Sequence, residues 1–151
     1  MKILIAAIGK AKASPEHQLY LEYGKRLPWK LECREFEAKA QEGHKRKAQE
    51  GELLLTACKP YHRVVALDEN GKQFSSLEFA DQLKRWQQQG HSSLAFMIGG
   101  ADGLDAAAVK NAHLVWSLGK VTWPHMLVRA LVAEQLYRAH TLISGHPYHR
   151  R

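Results

Sequence analysis

Five short apolar segments alternate with longer amphipathic segments along this chain. The first, ILIAAI at residues 3–8, is an unbroken apolar run typical of a strand that is covered on both faces. Four further strands are predicted at residues 31–36, 61–68, 93–100 and 113–119. The turn-forming run Asp68-Glu69-Asn70-Gly71 is expected to close the third of the five strands.

The amphipathic segments between these strands predict helices. They run from Ser14 to Pro28, over 39–59, from Ser75 onwards, over 105–112 and from Met126 to Ser144. Ser75 and Glu78 fit a capping box, and the apolar spacing that follows places Leu77 on the inner face with Ala80 and Trp86. Because strands and helices alternate throughout, we predict a single α/β domain over residues 1–151 with a mainly parallel sheet flanked by helices.

Composition adds a basic balance to this picture. The 151 residues contain 22 Lys and Arg against 15 Asp and Glu, a formal net charge of +7, which favours polyanionic partners without requiring them. Cys33 and Cys58 are too far apart for a CxxC motif, so we expect neither a disulfide nor a metal site, but two buried thiols in a cytoplasmic protein. The first apolar run is too short for a signal peptide or a membrane span.

Three predicted strand ends carry unusual residues. They are LDENG at residues 67–71, IGGADG at residues 98–103 and SLGKVTWP at residues 117–124. Ligands of open α/β sheets bind outside the carboxyl ends of the strands. The glycine run matches neither the GxGxxG dinucleotide fingerprint nor a P-loop, which excludes the motifs of those two nucleotide-binding classes.

The segments MIGGADG, WSLGKVTWPHMLVRALVAEQLYRA and HPYHRR together resemble the ribosomal RNA large subunit methyltransferase H family of the SPOUT class. The resemblance covers essentially the whole chain and implies an α/β trefoil knot. It also implies a homodimer that uses S-adenosylmethionine to methylate N3 of a pseudouridine in helix 69 of 23S rRNA, on assembled ribosomes.

The resemblance also implies the residues of the site. A cofactor pocket is expected to comprise Leu67, Gly100, Gly119, Lys120, Val121, Thr122, Trp123 and Pro124. Gly119 stands where a small hydroxyl residue is frequent in the family, and Trp123 where a smaller apolar residue is. Two roles for Trp123 stay open at this point: stacking on the adenine of the cofactor, or packing within the protein.

The carboxyl-terminal tail supplies the candidate catalytic residues Tyr148, His149 and Arg150. A phenol and an imidazole can take or give a proton, and a guanidinium can bind a carbonyl oxygen or a phosphate. No cysteine or carboxylate accompanies them to complete a zinc site.

Two alternative functions for the whole protein remain: a non-catalytic rRNA-binding or ribosome assembly factor, and a SPOUT methyltransferase that acts on tRNA.

Overall fold

A single five-stranded sheet forms the centre of the protein, in a computed structural model that describes residues 1–39 and 43–149. The strands are β1 (Lys2–Ile8), β2 (Lys30–Phe36), β3 (Arg63–Gln73), β4 (Ser93–Ile98) and β5 (Leu114–Ser117). Their order in the sheet is β2-β1-β4-β3-β5, and every neighbouring pair is parallel. The predicted α/β class and parallel sheet are confirmed, and the trefoil knot stays a prediction of the resemblance.

Helices alternate with the strands as predicted. They are α1 (Pro15–Arg26), α2 (Gly43–Cys58), α3 (Ser76–Gln88), α4 (Ala106–Lys110) and α5 (His125–Ser144), followed by a 3-10 turn at Pro147–His149. Part of the helix predicted over 39–59, namely residues 40–42, lies outside the described residues. Within the described ranges, no helix combines the length and the apolar character that crossing a membrane requires.

Helices cover both faces of the sheet and produce two apolar cores. Ile3 and Ile5 of β1 pack into the core that also contains residues of α1, α3 and α5, whereas Leu4 and Ala6 pack into the core formed with α2 and α4. All four side chains are fully buried. Alternate residues of a strand point to opposite faces, so burial on both faces explains why the first segment is an unbroken apolar run.

The helix starts follow from local capping, with one correction. In α3 the Ser75 backbone N–H donates to Glu78 Oε2 at 2.7 Å, and the Glu78 N–H donates to Ser75 Oγ at 3.1 Å, which confirms the capping box. The prediction for Leu77 is wrong, because this side chain is 59% exposed while Phe79 is buried. A three-residue spacing drifts around a helix of 3.6 residues per turn, so Leu77 lies well away from the buried face.

Strand β3 continues beyond the turn at which we expected it to end. Leu67 and Lys72 both pair with Trp116, so residues 68–71 form a bulge and the ladder with β5 resumes after it. The Asn70 N–H donates to Asp68 Oδ1 at 2.9 Å within this bulge. The turn-forming residues therefore interrupt the strand without ending it.

The two cysteines differ in burial. Cys58 in α2 is buried as predicted, whereas the prediction is wrong for Cys33, which is only half-buried because its strand β2 lies at the edge of the sheet. Burial raises the pKa of the Cys58 thiol to about 12 and that of the Cys33 thiol to about 11. Both thiols are therefore protonated, and hence weak nucleophiles, near neutral pH.

Candidate active site

A cleft with a volume of about 770 Å³ opens at the carboxyl ends of β3, β4 and β5. The first turn of α5 and one side chain of α2 complete its wall. Because all strands are parallel, their carboxyl ends meet at this edge, and the three segments that stood out in the sequence come together here. A cleft of this size accommodates a small-molecule ligand.

Most of the predicted cofactor residues line this cleft. Those that do so are Leu67, Gly100, Gly119, Val121, Thr122, Trp123 and Pro124. Lys120 is exposed and does not line the cleft. The structure therefore brings the predicted set together around one cavity, with the side chain of Lys120 outside it.

The glycine segment after β4 folds tightly beneath the cleft. A Cβ atom on Gly99 would lie 2.6 Å from the backbone carbon of Gly103, and the Gly103 N–H donates to the Gly100 carbonyl at 3.0 Å. A Cβ atom on Gly100 would lie 3.2 Å from Ile8 Cγ2 and 3.5 Å from Glu50 Oε1. A side chain at Gly100 would thus meet the protein behind the loop, which is a packing reason for glycine at this position.

The segment after β5 is held by hydrogen bonds to its own backbone. The buried Ser117 hydroxyl donates to the Gly119 carbonyl at 3.0 Å and accepts from the Gly119 N–H at 3.1 Å. Gly119 has φ of 110°, a conformation that disfavours any residue with a side chain. The Trp123 indole N–H donates to the Leu118 carbonyl at 3.1 Å, yet 39% of the side chain is exposed. Trp123 is therefore anchored to the loop while part of its ring stays accessible.

Charged and titratable side chains also line the cleft. Among them are Lys47, Asp68, Glu69, Asp102 and His125. Neither Lys47 nor His125 was predicted from the sequence as a site residue. Lys47 belongs to the run Lys45-Arg46-Lys47, a pattern more often found on a solvated helix face, and only the fold shows that α2 directs one of these residues towards the strand ends. His125 directly follows Pro124, the last residue of the predicted cofactor set.

Tyr148 of the tail docks on helices of the same chain, away from the cleft. Its hydroxyl donates to Glu134 Oε1 at 3.2 Å and lies 3.3 Å from the Tyr23 hydroxyl. Its ring packs edge-on against Tyr137 with centroids 4.6 Å apart, and the Arg138 guanidinium lies 5.1 Å from its centroid. Burial, together with the Tyr23 hydroxyl and the Glu134 carboxylate, raises the pKa of Tyr148 above its ordinary value.

The other two candidate catalytic residues are less fully described. His149 is half-buried, and its Nδ1 atom has no hydrogen-bond partner among the described residues. Arg150 lies outside the described residues. Neither Tyr148 nor His149 lines the cleft, which borders α5 no further along than Val128. With a helical rise of 1.5 Å per residue, Glu134 lies about 9 Å further along α5, so the described residues of the tail do not reach the cleft of their own chain.

Metal ligation has no support in the described part of the chain. Over residues 1–39 and 43–149, no group of three or more His, Cys, Asp or Glu side chains is placed to hold a metal ion.

Comparison with known proteins places these observations in a family. Residues 1–149 match a family model described as "Predicted SPOUT methyltransferase". The chain is 50% identical over 151 residues to a protein of Paramagnetospirillum magneticum named ribosomal RNA large subunit methyltransferase H. It is 45% identical to a protein of the same name from Rhodospirillum centenum, and each alignment covers 99% of both chains.

Solved structures share the fold at much lower identity. A protein from Haemophilus influenzae described as a "probable methylase family protein" superposes with a TM-score of 0.63 at 10% identity, over 99% of this chain and 70% of that one. A protein from Bordetella pertussis described as a "probable methyltransferase" superposes with a TM-score of 0.61 at 14% identity, over 91% of this chain and 95% of that one. Full-length similarity to the named relatives and the fold agree: the chain belongs to the SPOUT methyltransferase family and, within it, to the ribosomal RNA large subunit methyltransferase H family.

Proposed function

We propose that this protein transfers a methyl group to N3 of a pseudouridine in helix 69 of 23S rRNA, on assembled ribosomes in the cytoplasm. The observation that carries this proposal is the full-length identity of 50% to a large-subunit rRNA methyltransferase. It is supported by the cleft, because residues of two segments that carry the family resemblance, MIGGADG and WSLGKVTWPHMLVRALVAEQLYRA, line it together. The net charge of +7 suits an RNA substrate.

As a SPOUT methyltransferase, the chain uses S-adenosylmethionine, which supplies a methyl group activated on a sulfonium sulfur. The cleft fits this cofactor in size and in chemistry. The glycine segment 99–103 and the segment 118–124 would hold it, since both present backbone groups to the cavity and Trp123 keeps part of its ring accessible. Asp68, Glu69 and Asp102 add carboxylates to the same wall, which suits an ammonium group.

The RNA nitrogen that accepts the methyl group carries a proton at neutral pH, so the protein must remove that proton or stabilise the resulting anion. We assign these tasks to the tail, with His149 as the proton acceptor and Arg150 as the anion-stabilising or phosphate-binding group. We assign Tyr148 to orienting groups or stacking on the base, since burial and its contacts with Tyr23 and Glu134 raise the pKa of its phenol. Holding both reactants in line supplies much of the rate enhancement.

A homodimer would bring the tail of one subunit to the cleft of the other. Because Tyr148 packs on α5 and α1 of its own chain and not in its own cleft, we propose that the tail of one subunit completes the cleft of the other. Apolar side chains at the cleft end of the molecule support an interface there. Val121 is 61% exposed, and Leu127 and Val128 of α5 are partly exposed. A symmetric dimer would bury these side chains and form two composite sites.

The test is methylation of defined RNA substrates by the purified protein. Ribosomes, free large subunits, the isolated helix 69 stem-loop and tRNA are each incubated with S-adenosylmethionine, and the products are mapped by mass spectrometry. We expect one methyl group on N3 of a helix 69 pseudouridine, added much faster on ribosomes than on the stem-loop. Ribosomes in which that pseudouridine is replaced by uridine serve as the matched control.

The competing functions give different results. Methylation of tRNA with intact ribosomes left unmodified would establish a tRNA methyltransferase in place of our proposal. Tight ribosome binding without methylation of any substrate would establish a non-catalytic binding factor.

A further inference from the structure

The segment 9–13, between β1 and α1, carries two cations at the same edge of the sheet as the cleft. Its sequence is GKAKA, and the side chains of Lys10 and Lys12 are both exposed. Neither lysine forms an ion pair with any residue that the structure describes. The segment follows the carboxyl end of β1, which is the edge at which the cleft opens. Two unpaired positive charges therefore stand beside the site.

The start of this segment lies close to the wall of the cleft. A Cβ atom on Gly9 would lie 3.5 Å from His125 Nε2 and 3.4 Å from Met126 Cε. His125 itself lines the cleft. A chain bound across the mouth of the cleft would accordingly pass close to the segment 9–13.

The backbone of the segment is fixed by an ion pair. The Ala11 N–H donates to the Glu35 carboxylate, and Arg129 Nη1 donates to Glu35 Oε2 at 2.5 Å. Arg129 Nη2 donates to the carbonyls of Gly9 at 2.6 Å and Ile8 at 3.1 Å. These groups, which we call the Glu35–Arg129 clamp, tie together the ends of β1 and β2 and the first turns of α5.

Ordinary apolar packing would not require the buried charges of the Glu35–Arg129 clamp. Arg129 is only 3% exposed, and a charge buried to this extent is costly unless it is paired and hydrogen-bonded. Burial opposes the ionisation of Glu35, but hydrogen bonds from Ala11 and Arg129 outweigh it and lower the pKa of this carboxyl. The segment 9–13 contributes no large apolar side chain to either core, so core packing does not account for its fixed position.

We propose that Lys10 and Lys12 contact the phosphate backbone of the substrate RNA beside the cleft, and that Glu35 and Arg129 are positioning residues for this contact. The inference rests on the proposed function, because that function supplies an RNA partner. RNA is favoured over an acidic protein surface because the cations border the cleft in which a nucleotide must be held. The clamp links the cofactor wall, through α5, to the RNA contact.

The first experiment compares two lysine pairs of equal charge. Lys10→Ala/Lys12→Ala is tested against Lys59→Ala/Lys110→Ala, whose exposed lysines precede β3 and β5 and so stand at the opposite edge of the sheet. The dissociation constant for ribosomes is measured over a range of salt concentrations. For Lys10→Ala/Lys12→Ala we expect binding about tenfold weaker and a salt slope smaller by about two. The control pair should change both far less, and calorimetry should show unchanged S-adenosylmethionine affinity in both variants.

The second experiment tests the clamp with Glu35→Gln. This variant removes a negative charge, so long-range electrostatics alone would tighten RNA binding. Loosening of the segment predicts the opposite: ribosome binding weakens severalfold, and hydrogen exchange at residues 9–13 becomes faster. In the Lys10→Ala/Lys12→Ala background, Glu35→Gln should no longer weaken binding, because its effect passes through the lysines.

These outcomes separate the inference from the proposed function. Equal losses from the two lysine pairs, in a protein that still methylates rRNA, would overturn the phosphate contact and leave the function standing. Unchanged or tighter binding by Glu35→Gln would overturn the positioning role. Failure of the unsubstituted protein to bind or methylate ribosomes would overturn both the function and the inference. Lysine-dependent binding of an acidic protein in place of ribosomes would overturn the choice of RNA.

Discussion

Single glycines set how closely the backbone can pack beneath the cleft. Gly99 and Gly71 have ordinary φ values, and the requirement for glycine there comes from space alone. A Cβ atom on Gly99 would lie 2.6 Å from the backbone of Gly103, and one on Gly71 would lie 2.7 Å from the backbone of Val115. Backbone atoms cannot move aside as the tip of a flexible side chain can. These two positions therefore fix the shape of two cleft-forming segments.

Gly99→Ala and Gly24→Ala should change stability in opposite directions. Gly99→Ala forces apart two backbone segments, so we expect the free energy of unfolding to fall by more than about 2 kcal/mol. Gly24 lies inside α1, where a Cβ atom would have Leu31 Cδ2 at an ordinary contact distance of 3.7 Å. Gly24→Ala should therefore stabilise the protein by up to about 1 kcal/mol. Urea denaturation measures both; equal effects would contradict this account of Gly99.

Buried charges are the residues that sequence patterns could not predict. Arg129 and Glu50 are 3% and 5% exposed, although each belongs to a type that is almost always on the surface. Arg129 of α5 pairs with Glu35 of β2, a different element. Glu50 pairs with Arg46, which lies one turn earlier in the same helix. The periodicity of apolar residues describes one helix or strand at a time. It predicts which face of that element is apolar, but it does not predict which charged residue of another element will form an ion pair with it.

Elements were predictable where the pattern was strong and local. The fully buried strands β1 and β4 and the capped helices α1 and α3 appear where the sequence places them. Strand β3 was predicted too short, because the residues DENG at 68–71 are typical of a turn. In the structure, pairing with β5 extends the strand to Gln73, and this pairing is a tertiary feature that a local pattern does not show. The candidate catalytic residues of the tail were chosen from their chemistry. The position of Tyr148 on Glu134 and Tyr23 could not be predicted in this way, because it depends on the packing of α1 against α5.

Mixing two inactive variants tests whether the tail acts across subunits. One variant lacks residues 147–151, and the other, Thr122→Trp, fills the cleft from an exposed lining position while its tail stays intact. Each alone should be inactive, the first with cofactor affinity retained. If subunits exchange at random, half of the dimers are mixed and each mixed dimer has one complete site. Single-turnover methylation should then recover to about a quarter of the normal level.

A tail that serves its own cleft gives a different result. In that case no mixture restores activity, because every chain carries one defect in its single site. Circular dichroism of each variant checks that both are folded before they are mixed.

At the scale of the whole molecule, stability should fall in alkaline solution because thiols are buried. In the unfolded chain the Cys58 thiol ionises near its ordinary pKa of 9.0, whereas burial raises its pKa to about 12 in the folded protein. Between these values the unfolded state binds fewer protons, so the free energy of unfolding decreases as pH rises. The contribution of Cys58 should be about 1.4 kcal/mol per pH unit within this window.

Chemical denaturation at pH 9.5 and pH 10.5 measures this effect, with Cys58→Ala as the matched variant. The variant should lose less stability between the two pH values, by about 1.2 kcal/mol. Losses due to Cys33 and Tyr20, whose pKa values are also raised by burial, occur in both proteins and cancel in the comparison. Identical losses would show that Cys58 ionises in the folded protein as it does in the unfolded chain.

The Glu35–Arg129 clamp also joins a part of the chain that is synthesised early to one that is synthesised late. Arg129 bonds to the carbonyls of Gly9 and Ile8, which precede it by 120 and 121 residues. Strand β1 leaves the translating ribosome first, yet one of its neighbours, β4, and the arginine that fixes its end are made much later. Contacts between such distant parts of a chain form late in folding. A nascent chain therefore has no complete cleft until α5, which supplies His125 and Val128 to its wall, has emerged.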